Sequence, residues 1–246
     1  MSLAGKGALI TGGGTGVGRA TALALAQRGV NVAVNYSRSA DEAAQTVQDV
    51  QAAGVDAIAI QADVASDPAV RAMVEQTAAA FGRLDILVQS AGTTVFVSHD
   101  DLDGLSEEAW DRILAVNLKG AFFAARAAAP HLRASGAGAI VNISSTAGQT
   151  GRGSSLAYAA SKGALDTMTR SLARALAPEI RVNAVAPGII ATRWVDGHED
   201  FLASATERTP LRRAATAEDV AHTVLHLIES LHTTGQVVVL DGGAIL

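Results

Sequence analysis

The stretch TGGGTGVG, residues 11–18, follows the apolar run ALI (8–10) and leads into a long alanine-rich segment. Glycines at 12, 16 and 18 let a backbone turn sharply from a strand into a helix and leave its surface free of side chains. A negatively charged group laid against such a corner is stabilised by the helix N-terminus. The loop is completed by Thr15 and Val17. Because position 17 is valine, G-x-G-x-x-G is not met, and no G-K-[ST] follows, which excludes a P-loop. Any tight strand-to-helix corner wants glycine, so the meaning of this loop depends on what surrounds it.

Working outward, short β-branched runs alternate with helical patterns along the whole chain. Strands are expected at 8–11, 30–36, 57–62, 86–90, 139–144, 180–185 and 236–240, and helices at 16–28, 39–53, 67–81, 107–134, 156–177 and 216–230. Several strands are continuously apolar (ALI, VAV, ILV, VVVL), as expected of a sheet covered on both faces. Strand–helix alternation implies right-handed crossovers and an α/β, doubly wound, Rossmann-type parallel sheet of seven strands in one domain. Gly29, Gly54, Gly82 and Gly138 fall where left-handed helix caps are wanted. In this setting the glycine loop reads as a dinucleotide site, and ligands belong at the carboxyl ends of the strands.

Composition narrows the classes. The chain has 246 residues, 49% hydrophobic and 17% charged, with a net charge of −5 and no cysteine. Disulfides, thiolate nucleophiles and thiolate metal sites are therefore excluded. No basic run offers itself to nucleic acid, and no apolar run is long enough to cross a membrane. The first strand begins so early that a signal peptide has no room, so a soluble cytoplasmic protein is expected. His222 and His226 lie four apart but lack the glutamate of H-E-x-x-H and any evident third ligand, so no metal site is expected. The acidic stretch 99–103 reads as a solvated loop.

The segment YAASK, 158–162, holds one of two tyrosines and one of three lysines. Four residues make about one helical turn, so Tyr158 and Lys162 share a face. A phenol beside a fixed ammonium is a proton donor in the making, although a helix-surface pair would look the same.

These features together resemble the short-chain dehydrogenase/reductase family. Thr11-Gly12-(x)3-Gly16-x-Gly18 is similar to its cofactor loop, and Asp63-Val64 to the pair that meets the adenine. Asn117 in AVNLKG, Ser145, Tyr158 and Lys162 match its catalytic tetrad. The segment RVNAVAPGIIAT (181–192) resembles the stretch whose Pro187, Gly188, Ile190 and Thr192 close over the nicotinamide. TTGQVVVLDGG (233–243) is similar to its closing strand. One departure stands out. Where the family has Asn-Asn-Ala-Gly, this chain has Gln89-Ser90-Ala91-Gly92, which keeps the backbone contact to the cofactor ribose but changes the side-chain ties of that strand end.

The resemblance implies hydride transfer between a nicotinamide and a carbonyl or secondary alcohol, with Tyr158 as general acid/base. A free phenol has a pKa of about 10, so working near neutrality needs a fall of about 3, or about 4 kcal/mol. Lys162 is expected to supply this, together with the charge of the oxidised nicotinamide, and to hold the nicotinamide ribose. Ser145 is expected to bind the substrate oxygen, and Asn117 a water leading to Lys162. The second strand ends in NYSRS (35–39), with no acid until Asp41, so Tyr36, Ser37 and Arg38 favour NADP(H), with NAD(H) the alternative. Position 15 is Thr rather than a base, which weakens that preference.

For substrate, the chain is most similar to the 3-oxoacyl-carrier-protein reductase branch. Arg133 alone, with Glu179 opposing it, offers little attraction to an acidic carrier, and a small ketone or alcohol fits equally well. A non-catalytic nucleotide sensor is the alternative of a different class. Residues 189–211 are expected to form a substrate lid lined by Ile190, Trp194 and Phe201. The alanine-rich helices suit close packing between subunits, and the family resemblance implies a homotetramer, or a dimer.

Overall fold

The computed structural model describes residues 2–246. Seven strands, β1 (Gly7–Thr11), β2 (Asn31–Tyr36), β3 (Ala57–Gln61), β4 (Ile86–Gln89), β5 (Gly138–Ile143), β6 (Ile180–Pro187) and β7 (Val237–Leu240), form one sheet. Its order is β3-β2-β1-β4-β5-β6-β7, parallel throughout. The helices are α1 (Gly16–Ala26), α2 (Ala40–Ala52), α3 (Asp67–Phe81), α4 (Glu107–Leu114), α5 (Ala121–Ala134), α6 (Ala147–Thr150), α7 (Leu156–Leu176), α8 (Glu199–Arg208) and α9 (Ala217–Glu229).

Continuous apolarity in the strands has the expected cause. Ala8 and Ile10 of β1 point into a core shared with α1 and α9, while Leu9 points into a second core with α3, α5 and α7. The central strands β1 and β4 are buried along their whole length on both faces, so most of their positions carry apolar side chains. After β3 the chain crosses back over β1 to lay down β4. The strand order reverses there, opening a crevice between the ends of β1 and β4.

Two local expectations are corrected. The helix expected over 107–134 is interrupted by a π-helical turn at Ala115–Gly120. A Cβ at Gly120 would lie 2.9 Å from the Val64 carbonyl oxygen, so the wide turn rides directly over the strand end that carries Asp63 and Val64. Gly29, Gly54 and Gly82 do take positive φ, but the residue that does so before β5 is Gly136 (φ 80). Gly138 instead starts β5, where a Cβ would fall 2.9 Å from the Leu132 carbonyl oxygen. The segment 189–211 folds into a 3-10 turn, Arg193–Val195, and α8.

One buried side chain ties the glycine loop to the sheet. Asn35 Oδ1 accepts from the Gly12 amide at 3.3 Å, and its Nδ2 donates to the carbonyls of Ile60 (3.3 Å) and Ala62 (3.0 Å). Asn35→Ala strands these groups out of water, and a buried polar group without a partner costs about 1–3 kcal/mol. Chemical denaturation should show a loss of that size, and unchanged stability would dismiss the tie.

Candidate active site

A groove of about 970 Å³ runs along the carboxyl ends of the strands, from the β2 corner past the glycine loop to the segment after β6. The glycine loop is shaped by close approach. Gly12 has φ +65, and a Cβ there would lie 2.9 Å from the Ala91 backbone. At Gly18 a Cβ would be 2.2 Å from the Gly12 carbonyl oxygen. Gly12 and Gly16 leave bare backbone facing the groove, while Gly18 lies beneath the loop as packing. A nicotinamide dinucleotide fits this cradle, since Gly12 and Gly16 offer it backbone free of side chains at the start of α1.

Ser145, Tyr158 and Lys162 meet at the far end of β5. Ser155 caps α7 by accepting the Tyr158 amide (3.3 Å), which sets the phenol one turn inside the helix. Against α7 lies α6, so closely that a Cβ at Gly148 would fall 2.5 Å from the Gly163 nitrogen. That contact holds the loop carrying Ser145 beside the helix of Tyr158, where the serine hydroxyl accepts the Ala147 amide at 3.1 Å and favours the phenolate of Tyr158. The Lys162 ammonium donates to the Ile143 carbonyl at 2.7 Å and sits 5.6 Å from the centre of the tyrosine ring.

The electrostatics differ from the expectation in one respect. Burial pushes the Tyr158 phenol up to about 12, against the opposing pull of Ser145, rather than down toward neutrality. The same burial pushes Lys162 down to about 8, opposed by the Asp166 carboxylate one turn further along α7. Desolvation disfavours both charged forms. Asp166, absent from the sequence reading, is itself raised by burial while accepting from Ser144 Oγ at 2.5 Å. Its spacing of four from Lys162 was the available signal.

Asn117 is tied by its side chain: Oδ1 accepts the Thr93 amide (2.8 Å), and Nδ2 donates to the Thr93 carbonyl and Ser161 Oγ (both 3.0 Å). It therefore pins the chain after β4 to α7 from behind the groove wall. Nearby, Gln89 Nε2 is buried without a partner, beside a cavity of about 10 Å³, the size of one water. The exchange of asparagine for glutamine at this strand end thus leaves a donor unmatched.

The remaining expected residues line the groove. Ser90, Ala91 and Gly92 form its floor, and Pro187, Gly188, Ile190 and Thr192 its far rim. Tyr36, Ser37 and Arg38 stand at the β2 corner with Asp63 and Val64 beside them. Burial opposes ionisation of Asp63, but the Ala65 amide and the Arg112 guanidinium (2.9 Å) outweigh it and hold its carboxyl below the usual range. Over the substrate end, Trp194 tilts against Tyr158 with ring centres 5.8 Å apart, and Phe96 stacks on His198 at 3.7 Å. His222 and His226 lie on α9 outside the groove. Among the described residues no cluster of three or more potential ligands could hold a metal, and no helix is long and apolar enough to cross a membrane.

Comparison with known proteins agrees with this geometry. A family model described as enoyl-(acyl carrier protein) reductase matches residues 12–244. The chain belongs to the short-chain dehydrogenase/reductase family. As a member, it is an NAD(P)-dependent oxidoreductase. It is 44% identical over 241 residues to a protein of Streptomyces violaceoruber named as a ketoacyl reductase of the granaticin polyketide synthase, covering 96% of this chain and 95% of that one. It is 40% identical over 242 residues to a 3-oxoacyl-(acyl-carrier-protein) reductase of Staphylococcus aureus, covering 97% of each. Among solved structures, a short-chain dehydrogenase/reductase from Burkholderia xenovorans superposes with a TM-score of 0.91 at 39% identity, over 97% of each chain. A double mutant of a Serratia marcescens family member gives 0.93 at 34% identity, over 100% of each.

The Lys162 shift carries a stability signature. Its folded pKa lies below the unfolded 10.5, so burial of the ammonium costs about 3 kcal/mol at neutral pH, and the cost fades as pH rises from about 8 to 10.5. Lys162→Met should therefore melt higher than wild type at pH 7 in the absence of nucleotide, less the lost bond to Ile143. The two curves should converge above pH 10. A mutant that melts lower throughout would contradict this account of the buried amine.

Proposed function

We propose that this enzyme transfers hydride between NADP(H) and a carbonyl or secondary alcohol, with Tyr158 as general acid and base at the substrate oxygen. The observation that carries the reading is the convergence of a phenol, a serine hydroxyl and a buried ammonium at one end of a glycine-floored groove. When bound, the nicotinamide supplies or accepts the hydride.

The chain's own groups divide the remaining work. Ser145 and Tyr158 present two hydroxyls to a substrate oxygen, so charge developing there meets two donors. Tyr158, held protonated by burial, has a proton to give in the direction of reduction. Lys162 spends one of its three N–H donors on Ile143 and has two for ribose hydroxyls or water. Asn117 acts as a positioning residue, fixing Thr93 and Ser161 on either side of the site. The non-catalytic alternative is disfavoured because Tyr158 and Lys162 both stand in place.

The NADP(H) preference rests on the β2 corner, which brings Ser37 and Arg38 to the groove and no carboxylate from its own strand end. Residues 189–211 are proposed as the substrate lid, with Trp194 and Phe201 facing the groove. Relatives named for ketoacyl and 3-oxoacyl substrates make a 3-oxoacyl thioester the first substrate to try. The Arg152 and Arg208 side chains at the outer groove, without carboxylate partners among the described residues, are compatible with an anionic tail.

With NADPH and a panel of ketones and 3-oxoacyl thioesters, Tyr158→Phe should lower kcat by about 10²–10⁴-fold while leaving nucleotide affinity intact. Equal turnover by the mutant would end the assignment. A larger rise in melting temperature with NADPH than with NADH should accompany binding.

We further propose a cytoplasmic homotetramer. Phe122 is 41% exposed on α5, with the Arg126 guanidinium 5.3 Å from its ring centre. An aromatic left half in water on an alanine-rich helix suits a subunit contact. Sedimentation should give about four chains per particle, falling with Phe122→Glu, whereas a wild-type monomer at micromolar concentration would refute it.

A further inference from the structure

At the β2 corner a phosphate dianion would meet Arg38 as the sole guanidinium of that turn, with the hydroxyls of Ser37 and Ser39. The glycine loop adds only the neutral Thr15, and Arg112 is already taken by Asp63 at 2.9 Å. Into this corner, from the opposite rim of the groove, reaches Arg193. Its Nη1 lies 2.9 Å from Glu42 Oε1 and its Nη2 2.9 Å from Ser39 Oγ, although more than 150 residues separate the partners in sequence. Ser39 precedes α2 without capping it, so its hydroxyl is not committed to the helix backbone.

We propose that Arg193, carried by the lid, is the second cation of the adenosine 2′-phosphate site, replacing the charge that the glycine loop lacks at Thr15. The inference rests on the NADP(H) reading above. Without phosphate, Arg193 is parked on Glu42. Both side chains are about half exposed, 52% and 49%, and pairs of this kind are weakly held. A phosphate carries nearly twice the charge of a carboxylate and accepts the planar guanidinium through two oxygens, so it competes well for Arg193. Glu42 then faces the phosphate as a like charge and opposes it.

Geometry links this choice to the lid. Arg193 adjoins Thr192, whose methyl carbon lies 3.8 Å from the position of a Cβ on Gly16. A grip on the phosphate at one end of the groove thus holds the rim where it already lies, over the glycine loop. A nucleotide without the 2′-phosphate leaves the rim held by Glu42 and Ser39 alone. Arg193 is accordingly a specificity residue that works by securing the rim.

Calorimetric titration of adenosine 2′,5′-bisphosphate and of ADP into the nucleotide-free protein tests this without reference to turnover. Wild type should bind the 2′-phosphorylated nucleotide more tightly. Arg193→Ala should weaken that binding roughly tenfold or more, the equivalent of one charge-assisted hydrogen bond, with little change for ADP. Glu42→Gln should strengthen it. Retention of the 2′-phosphate preference by Arg193→Ala, or an equal loss for both nucleotides, overturns the role of Arg193 while leaving NADP(H) use intact. A wild-type protein that does not distinguish the two removes the NADP(H) reading and this inference with it.

Discussion

An ammonium taken out of water and set against the end of a strand governs the layout of the groove. Lys162 bonds to the Ile143 carbonyl, which fixes α7 to the end of β5, and the Asp166 carboxylate one turn along α7 offsets part of the desolvation. A charge in such a place is tolerated only where partners complete its hydrogen bonds. The protein supplies one strong partner and leaves the other donors facing the groove. The site is therefore poorly satisfied alone and better satisfied with a polar ligand, which is how binding energy comes to be concentrated there.

The phenol depends on the same environment in the opposite sense. Apolar surroundings hold Tyr158 neutral, so the protein alone supplies a proton donor, and any fall of its pKa has to come from charge that arrives with the bound partners. The sequence showed the pair Tyr158 and Lys162 on one helical face, since period and spacing suffice for that. It could not show the direction of the phenol's shift, because burial depends on α6, Trp194 and the strand ends around it.

The fold was legible for a similar reason. Strands buried on both faces write themselves as unbroken apolar runs, and their alternation with helices restricts the topology to very few arrangements. What escaped was set by contacts distant in sequence. The π-helical turn at Ala115–Gly120 leaves the apolar pattern of its helix almost unchanged and exists because Val64 passes beneath Gly120. Gly136 and Gly138 are alike as letters, and only the proximity of Leu132 decides which one bends. Asn117, Asn35 and Arg193 likewise act through partners that no local spacing reveals. Their polar character was visible, but their addressees were not.

The backbone contact between Gly148 and Gly163 has a consequence for how such an enzyme changes. It clamps the serine-bearing turn to the tyrosine-bearing helix at a separation no side chain can widen. Between these anchors, residues 149–152 form a short exposed bridge that borders the outer groove at Thr150 and Arg152. Mutations in the bridge can recontour the mouth while the reacting hydroxyls stay in register. Selectivity and chemistry are thus written in separable parts of one loop, and drift in the first need not disturb the second.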